Sequence, residues 1–253
     1  MSDDAFIDWI AALEQRHLAD FRVQEVTRAL RALSSVYVER REALKRGGAL
    51  DSAGKRAAFA LFYGPVHFLV TRAVARSLSV PAHGVERVLD LGCGTGAAGT
   101  AVALEAEPRP SILGVDVNRW ALDEARWTWR HFGLRGEARV GDAARPPGAG
   151  RGTVVIAAYT VNELESGARE KLRPLLEAAG RDGAQVLVVE PIAIRPLPWW
   201  DEWRASFERL GGRADEWRIP LALPPRLRLL DKAAGLRHDQ VKARSLYLPG
   251  SAS

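Results

Sequence analysis

The sequence predicts an α/β fold in which a parallel sheet is covered by helices on both faces, with a helical extension ahead of it. Three observations carry this expectation. From Val85 onward, short apolar runs alternate with amphipathic stretches of helical period. A glycine-rich turn, Gly92-Cys-Gly-Thr-Gly96, joins the first run to the first helix. Acidic residues stand at the ends of three successive runs, at Asp90, Asp116 and Asp142.

Residues 1–80 read as the N-terminal helical extension or lid, and residues 81–253 as the sheet-bearing domain. Phe6, Trp9, Ile10, Leu13 and His17 recur at helical spacing, as do Val26, Leu30, Leu33, Val36 and Tyr37. Lys45-Arg-Gly-Gly-Ala-Leu-Asp-Ser52 reads as a loop, with Ser52 as N-cap of the next helix. That helix passes Phe59 and Phe62, is expected to break at Tyr63-Gly64-Pro65, and resumes to Leu78.

Strands are expected at Val85–Leu91, Ser111–Val117, Glu137–Val140, Thr153–Tyr159 and Ala184–Glu190. Between them lie helices at Ala97–Glu107, at Arg119–Phe132 behind an Asn118 cap, and at Gly167–Gly180. Strands so uniformly apolar suit a sheet buried on both faces. Beyond Pro191 the pattern weakens, with prolines interrupting a segment that holds Trp199, Trp200, Trp203 and Trp217. A helix ending at Ala234-Gly235 and then a strand at Val241–Leu248 are expected, and Glu216–Leu221 is a candidate strand.

Composition bounds the function classes. The apolar share of 47% and charged share of 26% suit a globular protein. No run reaches the ~18 apolar residues of a membrane span, since Gly64, Pro65 and His67 interrupt Leu61 to Val70, so no membrane partner is expected. The acidic start and the single cysteine, Cys93, point to a cytoplasmic setting without disulfides. A net charge of +5 admits a nucleic-acid partner. Only five basic residues are lysine, though, and such arginine richness also follows from GC-rich codons. No His, Cys and carboxylate group has metal-ligand spacing, so no metal is expected.

The glycines let the backbone turn sharply and approach a ligand. Gly92, Gly94 and Ala97 also satisfy the looser dinucleotide pattern, so chemistry must separate the readings. A carboxylate at Asp90 would repel a pyrophosphate resting on the adjoining helix. It favours a cofactor that has no phosphate and carries an ammonium and a sulfonium. Asp116 can accept from both ribose hydroxyls, and Asp142 from an adenine amine, with the Ala143 N–H beside it. Each carboxylate alone could be an ordinary turn or cap residue. The candidate cofactor set is Asp90, Gly92, Cys93, Gly94, Gly96, Asp116, Val117, Asp142 and Ala143.

On these motifs, the stretch from Val85 to Glu190 resembles the class I S-adenosylmethionine-dependent methyltransferase family. The resemblance implies a Rossmann-like sheet of seven strands, the last antiparallel, and S-adenosyl-L-methionine as cofactor. Asn162-Glu-Leu164 after strand four and Val189-Glu-Pro191 after strand five are similar to a narrower group, methyltransferase-like proteins of bacteria and mitochondria associated with the small ribosomal subunit. Leu33-Ser-Ser-Val-Tyr37 and Tyr63 are compatible with it, whereas the cysteine cluster of some members cannot exist here.

Tyr159, Asn162 and Glu163 come after the fourth strand and are the candidate catalytic residues. Asn162 would hydrogen-bond an acceptor amine or hydroxyl and Glu163 would take its proton, unless both merely cap the helix near Ser166. Glu190 would orient substrate or pair with an arginine. Tyr63, His67 and Phe68 could form a lid, and the tryptophans either wall a pocket or pack a core. Three functions stay open. One is methyl transfer to RNA, possibly ribosomal, or to a small molecule. Another is a catalytically silent methyltransferase fold acting as a ribosome-associated assembly factor. The last is an NAD-dependent oxidoreductase, which Asp90 and the lack of an evident hydride-transfer acid disfavour.

Overall fold

A computed structural model describes residues 3–18, 22–39, 50–81, 84–192 and 197–250. Three helices lead: α1 (Asp3–His17), α2 (Val23–Glu39) and α3 (Ala53–Ser77). Then β1 (Arg87–Leu91), α4 (Ala97–Ala103), β2 (Ser111–Asp116), α5 (Arg119–His131), β3 (Gly136–Val140) and β4 (Thr153–Ala158) alternate. α6 (Ser166–Arg181), β5 (Gln185–Pro191), α7 (Pro198–Arg209), β6 (Arg213–Pro220), α8 (Pro225–Ala233) and β7 (Gln240–Leu248) complete the order.

The seven strands form one sheet in the order β3-β2-β1-β4-β5-β7-β6. The first five are parallel, and β7 runs antiparallel between β5 and β6. Strand order reverses between β1 and β4, so a ligand crevice is expected at their carboxyl ends. Alternate residues feed two cores. Val88, Val154, Ile156 and Val189 join Phe6, Trp9, Phe62, Phe68 and Trp129 on one face. Leu89, Leu91, Val155 and Val188 join Leu172, Leu176, Trp203 and Phe207 on the other. The candidate strand at Glu216–Leu221 is real, as β6.

Ser52 and Asn118 cap their helices, accepting from Lys55 N at 3.3 Å and Ala121 N at 3.2 Å. The expected break at Tyr63-Gly64-Pro65 is absent. Instead Phe59–Tyr63 forms a π-helical turn in which Gly64 N–H reaches Phe59 O. The wide turn puts Pro65 in the first turn of the resumed α-helical stretch, where its missing N–H costs little. The hydropathy reading also needs correction. α3 is long and apolar enough to cross a membrane by length and composition alone, because the π turn unites two apolar stretches. Of its most apolar window, 72% is buried inside the fold, as in a core helix.

α1 is pinned to the sheet's helical layer. Trp9 packs on Phe68 and Phe132 at 5.6 and 5.4 Å between centroids. Arg16 and His17 both contact the buried Glu124 of α5, at 2.8 and 3.0 Å. Most of the loop at Lys45–Ser52, and Pro196, lie outside the described residues.

Candidate cofactor and acceptor site

The glycine loop folds back over the end of β2, with Gly92 N and Cys93 N donating to Val115 O at 2.8 and 3.1 Å. Its glycines answer different needs. A Cβ on Gly92 would lie 2.4 Å from Thr160 Oγ1, and one on Gly96 would lie 2.8 Å from Trp129 Nε1. Gly94 has φ +50° and a Cβ there would meet nothing within 4 Å. Two glycines therefore admit protein neighbours, while the third leaves the loop open to a ligand.

The acidic strand ends surround that opening unequally. Asp90 is buried, and its Oδ2 accepts from Gly99 N at 2.8 Å, which braces the start of α4. Its Oδ1 has no partner among the described residues. Burial pushes this carboxyl up to about 7, with Asp116 adding to the rise. Asp116 accepts from Gly94 N at 2.9 Å and Asn118 N at 2.8 Å. Burial raises its pKa despite those bonds. Asp142 is half exposed and accepts from Ala144 N at 2.9 Å.

Val117 and Val140, 71% and 53% exposed, leave apolar side chains open beside these carboxylates. The set suits a ligand with hydroxyls for Asp116, an apolar plane for Val117, and a cation for the unpartnered oxygen of Asp90. Cys93 and Ala143 are buried. The Cys93 thiol is turned inward onto Gly114, whose added Cβ would lie 2.7 Å from Sγ. Its ligand-facing part is limited to the backbone.

The acceptor end lies where β4 stops. Tyr159 has φ +58°, a left-handed conformation that costs a non-glycine residue about 1–3 kcal/mol. Its N–H donates to Val189 O at 2.8 Å. Thr160 Oγ1 lies 3.0 Å from Leu91 O and 3.1 Å from Ala158 O, tying β1 to β4. The chain then makes a 3-10 turn, Val161–Glu163. Glu190, fully buried at the end of β5, anchors that turn by accepting from Asn162 N at 3.2 Å.

Around this turn, Tyr159 Oη, Glu190 Oε2 and both side-chain polar atoms of Asn162 are buried without partners among the described residues. Leaving such groups unmet costs about 1–3 kcal/mol each, so they are candidates for partners supplied by water or a ligand. Glu163 opens to solvent yet is crowded by protein, which raises its carboxyl to about 8, with Glu190 and Asp116 contributing. Glu190 is raised to about 7 by burial, against the opposing pull of backbone N–H groups and Arg244. α6 is N-capped at Glu165 without any side-chain bond, so Asn162 and Glu163 do not cap it.

Tyr63, His67 and Phe68 separate. Phe68 belongs to the core, stacked on Phe6 at 5.2 Å. His67 stacks on Tyr159, and burial lowers its pKa to about 3, with the charge of His238 adding. Trp199, Trp200 and Trp203 are core. Arg244, opposite Glu190 in the β5–β7 ladder, lies 3.9 Å over the Trp200 ring. Thr160 and the Asp231–His238 pair were not singled out from sequence, having no local motif. Among the described residues no group of three or more His, Cys and carboxylates could hold a metal. A separate cleft lined by Arg87, Arg109, Arg135 and Arg151 lies at the amino ends of the strands, the length of the sheet away.

The fold and the loop define a Rossmann-like sheet of the class I methyltransferase type. Residues 88–181, a little over a third of the chain, match the methyltransferase domain family. The ribosomal RNA large subunit methyltransferase G of Streptomyces coelicolor is 45% identical over 74 residues, 28% of this chain and 19% of that protein. Its counterpart in Streptomyces avermitilis is 55% identical over 47 residues, 19% of this chain and 12% of that protein. The chain thus matches less than a fifth of the length of either relative. Two solved structures share the fold. Mitomycin 7-O-methyltransferase MmcR is 16% identical with a TM-score of 0.54, covering 96% of this chain and 72% of that one. The plantazolicin methyltransferase BpumL, solved with S-adenosylhomocysteine, is 11% identical with a TM-score of 0.53, covering 90% and 98%.

Proposed function

We propose that this chain binds S-adenosylmethionine on the Gly92–Gly96 loop and transfers its methyl group to an acceptor docked after β4. The observation that carries the reading is the open face at Gly94, flanked by Asp90, Asp116 and Asp142 at successive strand ends. Asp116 would hold the ribose hydroxyls, Val117 the adenine face and Asp142 its amine, with the backbone at Ala143 beside it. The free oxygen of Asp90 would meet the ammonium. Bound there, the cofactor would supply an electrophilic methyl group, and the turn that carries Asn162 would hold the acceptor. The Asn162 amide offers one donor edge and one acceptor edge to an incoming amine or hydroxyl. Glu163, raised to about 8, would hold the acceptor as a hydrogen-bond donor near neutral pH rather than strip its proton.

RNA is the acceptor class we favour, because the sequence relatives are ribosomal RNA methyltransferases and the chain carries a net charge of +5. In this reading α1 to α3 cover the acceptor and a cytoplasmic setting fits the lone buried Cys93. The test is incubation with methyl-labelled S-adenosylmethionine, total RNA and a metabolite extract. Label in an RNA species supports the proposal, and label confined to the metabolite fraction moves the acceptor to a small molecule. The absence of label from both fractions contradicts methyl transfer.

A further inference from the structure

A second set of titratable groups stands at the same end of the sheet. After α8 the chain reverses through Gly235, at φ +74°, toward β7. Asp231 organises the reversal. Its carbonyl accepts from Leu236 N at 2.9 Å, its Oδ2 accepts from His238 N at 3.1 Å, and its Oδ1 lies 2.6 Å from His238 Nδ1. The Asp231 side chain is buried, while the His238 side chain is 25% exposed. Because β7 enters the sheet antiparallel, residues ahead of Gln240 lie beyond the carboxyl end of β5. That is the end at which Asn162 and Glu163 sit.

One ring contact links this pair to α3, whose His67 in turn stacks on Tyr159. The His238 ring packs on Phe62 of the π turn at 5.2 Å, with the planes 65° apart. Its charge reaches His67, whose ring lies on Tyr159. Asp231 and His67 are thus the titratable groups facing His238 from α8 and α3, with Arg237 and Asp239 its chain neighbours. A carboxylate on Nδ1 fixes the proton there and leaves the Nε2 lone pair available. His238 Nε2 has no hydrogen bond among the described residues.

We infer that His238, held by Asp231, is the proton acceptor for the substrate docked after β4. The inference rests on the methyl-transfer reading above. As the acceptor atom bonds to the methyl carbon, the carbon–sulfur bond breaks with its electron pair left on sulfur. The proton of the acceptor's N–H or O–H passes to His238 Nε2, and the imidazolium so formed is balanced by the Asp231 carboxylate. Asp231 is a positioning residue. The division of labour also explains why Glu163 need not be ionised.

The full chain, labelled with nitrogen-15 histidine and free of cofactor, tests the geometry by NMR. Neutral His238 protonated on Nδ1 supports the assignment, and neutral His238 protonated on Nε2 overturns it, since that nitrogen then has no lone pair to accept with. On an acceptor that the wild type methylates, His238→Gln should keep the cofactor dissociation constant within about twofold and lower kcat by about 10²–10⁴-fold, with KM little changed. Retention of kcat within about threefold overturns the role. The two readings fail separately. A wild type that binds no S-adenosylmethionine ends the methyl-transfer reading and the dyad's role in it, whereas the tautomer alone decides whether Asp231 presents a free Nε2.

Discussion

The Tyr159 ring lies flat on the His67 ring, with centroids 3.7 Å apart and planes 8° from parallel. The stack holds a residue whose own backbone is in the left-handed region, and it brings α3 onto the end of β4. Tyr159 Oη is buried with no partner among the described residues, so removing it should not destabilise the chain. Tyr159→Phe is expected to leave the melting temperature unchanged or slightly higher. His67→Ala, which removes the stack, is expected to lower stability by roughly 1 kcal/mol. Thermal melts of the two variants check this pair of opposite outcomes.

Asp116 anchors two backbone N–H groups as well as facing the proposed ribose, so a truncation there mixes two effects. Asp116→Ala is expected to weaken cofactor binding by roughly 1–3 kcal/mol. Asp116→Asn, which keeps one acceptor oxygen for the loop, should recover part of that loss. Calorimetric titration of both variants with S-adenosylhomocysteine measures it, and unchanged affinity in a folded Asp116→Ala chain removes Asp116 from the site.

Asn162 and Glu163 act on the acceptor in this account, not on the cofactor. Asn162→Ala and Glu163→Gln should therefore bind S-adenosylmethionine nearly as the wild type does while turning over more slowly. Glu163→Gln keeps a hydrogen-bond donor, so its loss should stay within about tenfold, well below the ~10²–10⁴-fold loss of a proton acceptor. A larger loss at Glu163 would return the role of base to that residue.

Much of the fold and of the candidate site was legible in sequence because it is local. The glycine loop, the acidic strand ends and the caps at Ser52 and Asn118 depend on neighbours a few residues away. The Rossmann-like sheet follows from strand–helix alternation. What escaped depends on pairings between distant residues. Glu190 meets Asn162 only because β4 and β5 lie side by side, and Glu190 faces Arg244 only through the antiparallel register of β7. Asp231 and His238 carry no local signal, and their pairing shows only once the fold places His238 against Phe62. The π turn at Phe59–Tyr63 was missed because a Gly-Pro pair reads as a break when the alternative bonding of Gly64 is not considered.

Glu124 ties α1 to α5 in a pH-dependent way. Burial works against its carboxylate, but the hydrogen bonds from His17 and Arg16 outweigh burial and lower its pKa. A lowered acid contributes stability above its unfolded value of about 4.3, and loses it as pH falls through the folded value. Glu124→Gln should therefore cost roughly 1–3 kcal/mol at pH 7 and progressively less below about pH 4. Melts of wild type and variant across that range should converge at the acidic end.

The most direct measurement is calorimetric titration of the wild-type chain with S-adenosylmethionine and, separately, with NAD. The buried carboxylate of Asp90 beside an open loop at Gly94 predicts saturable binding of S-adenosylmethionine and no comparable affinity for NAD. Tighter binding of NAD, or no binding of S-adenosylmethionine, would contradict the assignment of the loop.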